Sequence, residues 1–312
     1  MKSFRIIFMG TPDFAVPALK ALHASRHEVQ AVLTQPDRPK GRGRKLAPPP
    51  VKVAAQQMGY DVQQYGCIHE TECLSFMQGK TPDLFVVIAF GRLLKPHHFC
   101  IPADGVINVH ASLLPRYRGP APIQWALING DQETGVTTMN MAEELDAGDI
   151  LLQARTPIKA DDTAATLHDR MAELGASLLI ETLDQLAENR IQPVKQDPAL
   201  VTFAPLLAKK DGQIRWNKPT AAIDAFIRGM TPWPGAFTFL GDLRLKIFKV
   251  RPAILPEPAP PGTILPGFSK EIRVATGDGA LSILEIQSAS GRRMATADFL
   301  KGTAIIPGSR LE

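Results

Sequence analysis

Cysteine is scarce in this 312-residue sequence, which contains only three. So few thiols cannot build the disulfide framework of a small secreted domain, and they suit a reducing compartment, so we expect a cytoplasmic protein. The pattern Cys67-x-His69-x-x-x-Cys73 lacks the paired two-residue spacing of structural zinc sites. We therefore predict no metal site, and we interpret His97 and His98 as ordinary loop residues.

Long hydrophobic runs are also missing. No apolar stretch approaches the roughly 18 residues that a membrane-spanning helix needs, so we expect no membrane segment. The first apolar run, residues 4–9, is interrupted at once by Gly10, Pro12 and Asp13, whereas a signal peptide has a longer apolar segment and a small-residue cleavage site. We predict that this run is a buried β-strand.

Two glycine-containing motifs of known functional sites, one for dinucleotide binding and one for a serine nucleophile, are absent. The turn after the first predicted strand contains Gly10 but no G-x-G-x-x-G, which argues against a dinucleotide-binding site. Ser112 lies outside any G-x-S-x-G motif, so it is a poor candidate for a catalytic nucleophile.

The first half of the chain alternates strand and helix patterns. Residues 4–10 and 27–34 read as strands around a helix at 11–25, and further fully apolar strands are predicted at 82–91 and 105–110. A βαβ unit with near-continuous apolar strands indicates an α/β fold with a mostly parallel sheet that is covered on both faces. In such a sheet the ligand crevice lies beyond the carboxyl ends of the strands.

A change of pattern divides the chain. Two strands joined by a turn and a helix from 162 to about 189 complete the first part, after which prolines recur without periodicity. The later residues form short strand-like runs separated by Gly, Pro and Asp, which is typical of a small β-barrel. We predict a catalytic domain at 1–189, a linker at 190–207 and a barrel domain at 208–312.

Charge is distributed unevenly along the chain. Residues 1–205 carry 20 Lys/Arg and 22 Asp/Glu, whereas residues 206–312 carry 15 Lys/Arg and 9 Asp/Glu. The basic second half indicates a polyanionic partner.

A second basic feature is the stretch QPDRPKGRGRKLAPPPVK at residues 35–52, which has too little apolar surface to bury itself. It is either a solvated mobile loop or a contact for a phosphate backbone, and we favour the contact because five cations cluster there. These cations are Arg38, Lys40, Arg42, Arg44 and Lys45.

Asn108 and His110 end the predicted strand at 105–110. Because they are two residues apart, their side chains share one face of the strand. They are either a turn-forming Asn and a capped core His, or two parts of an acyl-transfer site: an amide that donates to an oxyanion and an imidazole that carries a proton. A carboxylate usually orients such an imidazole, and the pattern leaves four open: Glu143, Glu144, Asp146 and Asp149. With no covalent nucleophile evident, direct transfer of an acyl group to an amine is the natural hypothesis.

Two segments, NVHASLLPRYRGPAP from residue 108 and GVTTMNMAEELDAGDILLQ from residue 135, closely resemble the folate-dependent formyltransferases. In that family the Asn, the His and the Asp of the L-D-x-G-D motif form the catalytic trio, which implies these roles for Asn108, His110 and Asp146. The resemblance also implies that Ser112, Leu113, Leu114 and Pro115 line the tetrahydrofolate site. It further implies a Rossmann-like, doubly wound first domain and an OB-fold-like barrel.

The opening IIFMGTPDFAVPAL, the basic stretch and the later PWPGAF are similar to the members of this family that formylate initiator tRNA, along nearly the whole chain. The resemblance implies formyl transfer from 10-formyltetrahydrofolate to the α-amine of methionyl-initiator-tRNA. It implies no metal, and we expect a monomer. The expected tRNA contacts are Arg42, Arg44, Lys45, Lys209 and Lys210.

Trp125 departs from the pattern of the tRNA-formylating members. Their pattern leads us to expect Arg at this position. Trp at this position is more similar to members that formylate amino sugars or process formylfolate. Two other readings remain: an RNA-binding protein with an inactive enzyme fold, and a formyltransferase for a small molecule such as a nucleotide-linked amino sugar. We rank both lower, because the first need not retain the trio and the second needs neither the basic stretch nor the basic second half.

Overall fold

The computed structural model describes residues 2–40, 43, 45–268, 270–289 and 291–312. The chain forms two compact units. The first contains Met1–Gly119, Thr134–Thr156 and His168–Phe203, and the second contains Pro120–Glu133, Pro157–Leu167 and Ala204–Glu312. The change from one unit to the other at residues 203 and 204 falls within the predicted linker. Among the described residues, none of the helices combines the length and the apolar character that a membrane span requires.

The first unit is built on a seven-stranded sheet with the strand order β5-β2-β1-β6-β7-β8-β9. Its strands are β1 (Arg5–Gly10), β2 (Glu28–Thr34), β5 (Val62–Gln64), β6 (Leu84–Ile88), β7 (Val106–His110), β8 (Glu133–Asn140) and β9 (Ile150–Pro157). The pairs from β5 to β7 are parallel, and β7 pairs antiparallel with β8. This sheet confirms the predicted α/β fold with a mostly parallel, Rossmann-like sheet.

Helices complete both units, and several of them were not predicted from sequence. Within the described residues the α-helices are α1 (Val16–His23), α2 (Pro50–Gln57), α3 (Thr71–Gly79), α4 (Pro96–Phe99), α5 (Pro122–Ile128), α6 (Ala164–Ala187), α7 (Thr220–Met230) and α8 (Thr296–Gly302). The long α6 follows the helix predicted from residue 162 closely. Helix α2 begins with Pro50 at its first position, where proline needs no N–H partner.

Strand β6 is apolar along its whole length and β1 is apolar after Arg5, as expected for parallel strands that are buried on both faces. Ile6, Phe8 and Phe85 are 0% exposed. Beyond the carboxyl ends of β1 and β6, the Thr11 hydroxyl donates a 2.8 Å hydrogen bond to the carbonyl oxygen of Phe90. This bond ties together two loops at the edge of the sheet where ligands of α/β proteins bind.

The second unit contains a five-stranded antiparallel sheet with the order β10-β11-β13-β12, and β14 pairs with β13. Its strands are β10 (Ala236–Leu240), β11 (Leu243–Ala253), β12 (Ile272–Ala275), β13 (Ala280–Ser288) and β14 (Met294–Ala295). The arrangement is an antiparallel half-barrel and confirms the predicted small barrel. The run at 262–265, which the sequence predicted as a strand, forms only isolated bridges at Thr263 and Ile264.

The basic stretch at 35–52 contains a short antiparallel hairpin of β3 (Arg38–Lys40) and β4 (Lys45–Ala47). We predicted a loop here. The hairpin was not predicted because three-residue strands without a buried face show no alternation of apolar and polar residues. Arg42 and Arg44, two of the expected tRNA contacts, lie outside the described residues.

Candidate active site

Strand β7 places Asn108 and His110 on one face, as their spacing predicted. Asn108 lies opposite Val87 of β6 and Met139 of β8, and His110 lies opposite Thr137 of β8. β7 is thus bordered on both sides by paired strands, which fixes the direction of its side chains. The last residue of the strand is His110, so both side chains lie at the carboxyl end of the sheet.

His110 is only 7% exposed, and both of its ring nitrogens face polar atoms. Nε2 lies 2.9 Å from the carbonyl oxygen of Tyr117, and because a carbonyl only accepts, Nε2 carries the proton and donates. The other nitrogen, Nδ1, lies 3.7 Å from Oδ2 of Asp146. This separation is too long for a direct hydrogen bond, so the carboxylate faces the imidazole as a nearby charge. Nδ1 is thus the nitrogen at which His110 can accept or release a proton.

Asp146 lies in the loop between β8 and β9, and its carboxylate is fixed by main chain. The backbone N–H of Gly119 donates a 2.8 Å hydrogen bond to Oδ2 of Asp146. Of the four carboxylates that the sequence left open, this is the one whose contact with His110 the structure establishes. Asp146 has φ 49° and Tyr117 has φ 63°, a left-handed conformation that non-glycine residues seldom adopt. Such strained residues persist where the surrounding structure holds them, and they cluster at functional sites.

The side chain of Asn108 is half-buried, and one of its polar atoms is unsatisfied. Oδ1 is buried and finds no hydrogen-bond partner among the described residues. Buried polar atoms in native structures are almost always paired, so an orphaned one calls for an explanation. A substrate that approaches the end of β7 would bring polar atoms to this amide. The unpartnered Oδ1 therefore makes Asn108 a candidate ligand contact at the end of β7.

The segment expected to line the folate site directly follows β7, and its own polar groups are mostly used internally. The Ser112 hydroxyl donates to the carbonyl oxygen of Arg116 at 2.6 Å, and Ser112 is fully buried. The Leu114 N–H donates to Thr137 Oγ1 at 3.1 Å. Leu113 and Pro115 are the two members with partly exposed surface. Any contact of this segment with a folate would thus be made by apolar side chains and main chain.

The remaining expected tRNA contacts lie on the surface. Lys45 is exposed on β4 in the first unit. Lys209 and Lys210 are exposed in a 3₁₀ turn, Lys209–Gly212, in the second unit. Exposed lysines that are free to reorient suit contact with phosphates.

Sequence reasoning did not find four residues that support the trio. Tyr117 supplies the carbonyl that holds His110, and its own N–H donates to Thr202 Oγ1 at 2.9 Å. Arg118 and Gln196 are 7% and 9% exposed and hydrogen-bond to each other at 3.0 Å. Tyr117 and Arg118 are inside the motif that carried the resemblance, so their proximity to His110 was a usable signal. Gln196 and Thr202 lie in the proline-rich predicted linker, where the sequence contains no such signal.

Three histidines outside the trio, His69, His97 and His98, place ring nitrogens within 4.8 Å of one another. Interpreting His98 as an ordinary loop residue was wrong. It lies on α4, is fully buried, accepts from the Lys95 N–H at 3.1 Å and donates to the Ile68 carbonyl at 3.1 Å. Both nitrogens of His98 therefore make hydrogen bonds. Of the three histidines, this leaves His69 and His97 as the residues whose ring nitrogens could bind a metal ion.

Cys73, the second cysteine of the C-x-H-x-x-x-C pattern, is fully buried. Burial raises the pKa of its thiol to about 11, so the sulfur is protonated at neutral pH. A protonated thiol is neither a good nucleophile nor a good metal ligand.

Trp125, the departure noted in the sequence, has a structural role within the second unit. Its indole N–H donates to the carbonyl oxygen of Pro205 at 2.9 Å, and its ring packs against the hydrophobic core that contains Trp216 and Ile247.

Comparison with known proteins gives a consistent result. The formyl transferase family matches residues 4–183, and the formyl transferase C-terminal domain matches residues 206–304. The methionyl-tRNA formyltransferase of Citrifermentans bemidjiense is 51% identical over 311 residues, which cover 100% of this chain and 97% of the relative. That of Geobacter sulfurreducens is 47% identical over 311 residues, which cover 100% of this chain and 98% of the relative.

Two solved structures share the fold. WlaRD, a sugar 3N-formyltransferase, matches with a TM-score of 0.67 and 19% identity over 94% of this chain and 100% of its own. HypX from Aquifex aeolicus, solved in complex with tetrahydrofolic acid, matches with a TM-score of 0.66 and 18% identity over 98% of this chain and 49% of its own. This chain thus corresponds to about half of HypX. On the family match and on its full-length relatives, the chain belongs to the formyltransferase family.

Proposed function

We propose that this chain transfers the formyl group of 10-formyltetrahydrofolate to the α-amino group of methionyl-initiator-tRNA, which yields the N-formylmethionyl-tRNA used to begin translation. One observation carries the proposal: at the end of β7 the amide of Asn108, whose acceptor Oδ1 has no partner among the described residues, shares a strand face with an imidazole, His110, that faces the carboxylate of Asp146. The full-length relatives, which are methionyl-tRNA formyltransferases, support the choice of substrate.

The reaction joins the amine nitrogen to the formyl carbon and breaks the bond between that carbon and N10 of the folate. Asn108 donates from its side-chain amide to the oxyanion of the tetrahedral intermediate, where charge develops. His110 takes the proton that the attacking amine loses and delivers one to the departing N10. Asp146 stabilises the cationic imidazole by its negative charge, which lies 3.7 Å from Nδ1. The proton that the amine loses is thus returned to N10, and each charge that develops during the reaction faces a member of the trio.

Supporting contacts follow from the same assignment. We assign the folate to the segment Ser112–Pro115, where Leu113 and Pro115 have exposed apolar surface. We assign tRNA phosphates to Arg42, Arg44 and Lys45 in the basic stretch and to Lys209 and Lys210, with 208–312 as the tRNA-binding domain and 1–189 as the catalytic domain. Because its substrate is a charged tRNA, we place the reaction in the cytoplasm, and we propose that the monomer is active.

The test is transfer of formyl from 10-formyltetrahydrofolate to purified methionyl-initiator-tRNA. Unacylated initiator tRNA and a nucleotide-linked amino sugar are offered in parallel, and the variant Asn108→Ala is the catalytic control. The proposal requires rapid transfer to the charged tRNA alone and a large loss in the variant. Preferred transfer to the amino sugar would assign the chain to the sugar-formylating members of the family. No transfer to either acceptor would refute the proposed activity.

A further inference from the structure

Gln196 lies after helix α6 in sequence, yet its side chain reaches the loop that carries Asp146. The Nε2 group donates to the carbonyl oxygen of Asp146 and to the carbonyl oxygen of Gly148, each at 2.8 Å. Both N–H groups of the Gln196 side-chain amide therefore donate to the loop that contains Asp146. Because Gln196 is 9% exposed, water has little access to replace these bonds.

Arg118 fixes the orientation of that amide. Its Nε donates to Oε1 of Gln196 at 3.0 Å, which leaves the NH₂ group of the amide facing the Asp146 loop. Its Nη1 contacts Glu144 Oε1 at 3.3 Å, so the same guanidinium also holds the beginning of the loop. Arg118 is 7% exposed, and its planar group can make both contacts in one fixed geometry.

Gly119, the residue after Arg118, makes a further contact with the Asp146 loop. The backbone N–H of Gly119 donates to Oδ2 of Asp146 at 2.8 Å. Asp146 is thus held at two places from the same side: at its carbonyl through Gln196 and at its carboxylate through Gly119. Without such support its φ of 49° would relax, because an L-residue rarely keeps that conformation. A relaxed backbone would carry the carboxylate away from His110.

We propose that Gln196 and Arg118 are positioning residues, which hold the Asp146 loop in its strained conformation so that the carboxylate faces Nδ1 of His110. Neither residue touches the reacting atoms. The inference rests on the proposed function of the trio, and it assigns catalytic importance to a residue in the segment that joins the two predicted domains.

The decisive variant is Gln196→Glu. Glutamate has nearly the same volume and retains an oxygen for Arg118, but at neutral pH it cannot donate to the carbonyls of Asp146 and Gly148. We expect kcat to fall on the order of 10²-fold, the cost of a small misplacement in an active site, while KM for folate and tRNA change less than about twofold. A residue that only fills space would not produce this split, since its volume is preserved.

Three further measurements complete the experiment. Gln63→Glu makes the same change on β5 of the first unit, away from the trio, and should leave kcat and KM unchanged. Arg118→Lys keeps the charge but loses the planar fork, and it provides a second, milder test if Gln196→Glu does not fold. In an Asp146→Ala background, Gln196→Glu should lower kcat by less than about twofold, because its effect passes through Asp146.

Two results would overturn the inference: a folded Gln196→Glu enzyme with normal kcat, or an equal loss of kcat with and without Asp146. Thermal unfolding of each variant shows whether it is folded. A failure of the proposed roles of the trio is a different result. In that case Asn108→Ala and Asp146→Ala would themselves retain the rate of the unmodified enzyme.

Discussion

Nδ1 of His110 lies 3.7 Å from Oδ2 of Asp146, an oxygen that already accepts a 2.8 Å hydrogen bond from the Gly119 N–H. The carboxylate therefore acts on the imidazole through its charge rather than through a direct hydrogen bond. Its stabilising effect on the imidazole is largest when the ring is cationic. The pair is arranged to support a proton that arrives at Nδ1 during the reaction.

We expect Asp146→Asn to lower kcat by roughly 10²–10⁴-fold, the range for a group that assists proton transfer. Asparagine still accepts from the Gly119 N–H, so the loop stays in place while the negative charge is lost. Single-turnover formyl transfer with both substrates saturating measures the effect, and thermal unfolding checks the fold. An unimpaired rate would show that the charge of Asp146 is not used.

The amide of Asn108 is tested separately. Asn108→Ala should lower kcat on the order of 10²–10³-fold, as expected when one oxyanion donor is removed, with the affinity for a folate nearly unchanged. Its stability should not suffer from a lost internal bond at Oδ1, which has no partner among the residues that the structure describes. Equilibrium binding of tetrahydrofolate and the rate of transfer are measured on the same preparation. Parallel losses in both would assign Asn108 to folate binding instead.

Salt dependence tests the basic stretch. If Arg42 binds a phosphate of the tRNA, Arg42→Ala should raise KM for tRNA and reduce the slope of log affinity against log salt by roughly one unit. Affinity for the folate should not change. An Arg42→Ala variant with the original slope and KM would identify the stretch as ordinary solvated surface.

Acid stability tests the Arg5–Asp83 pair at the opposite, amino end of the strands. The Arg5 guanidinium, which donates to Asp83 at 2.8 Å, holds the pKa of that carboxyl below its usual value of 3.8. A depressed pKa stabilises the folded state above the unfolded value, and this contribution is lost as the pH falls below about 3.8. Asp83→Asn should therefore lower Tm at pH 6 and lose less stability than the unmodified protein below pH 4. Parallel pH profiles of Tm would contradict this.

Cysteine chemistry is not required by the proposed mechanism. A variant with Cys67→Ser, Cys73→Ala and Cys100→Ser should retain kcat within about twofold, because the thiol of Cys73 is protonated and no step uses sulfur. Cys73→Ala is preferred to serine because it places no hydroxyl in the core. Transfer assays with and without a chelator accompany the variant. A folded triple variant without activity, or one whose parent is inhibited by the chelator, would contradict the mechanism.

Much of the fold was predictable because its signal is local. β1, β6 and β7 are short runs of mostly apolar residues, and α6 has helical periodicity, so the order of the main elements follows from the sequence. The misses are short elements whose boundaries depend on tertiary contacts. Helix α2 starts inside a run of prolines that indicates a loop, and the run at 262–265 has strand composition but finds only isolated bridges.

The site was predictable where side-chain type carries chemistry. Asn108 and His110 could be identified from their residue types and their two-residue spacing. Asp146 could be distinguished from the neighbouring carboxylates only through a family resemblance. Gln196 could not be found at all, because it acts on main-chain carbonyls that every residue has. Ser112 shows the reverse: it belongs to the expected folate segment, but its hydroxyl is consumed by the carbonyl of Arg116.

The bond between Gln196 and the Asp146 carbonyl joins residues 50 positions apart, and that between Arg118 and Gln196 joins residues 78 positions apart. During synthesis the ribosome releases the sheet strands and α6 before Gln196 emerges. A nascent chain that has reached residue 189 therefore contains every member of the trio but not the amide that fixes the Asp146 loop. From the proposed role of Gln196 we expect catalytic competence to require the return of the segment after α6 to the end of the sheet, in addition to the proposed tRNA-binding domain at 208–312. An assay of stalled nascent chains would detect this as folate binding that precedes formyl transfer.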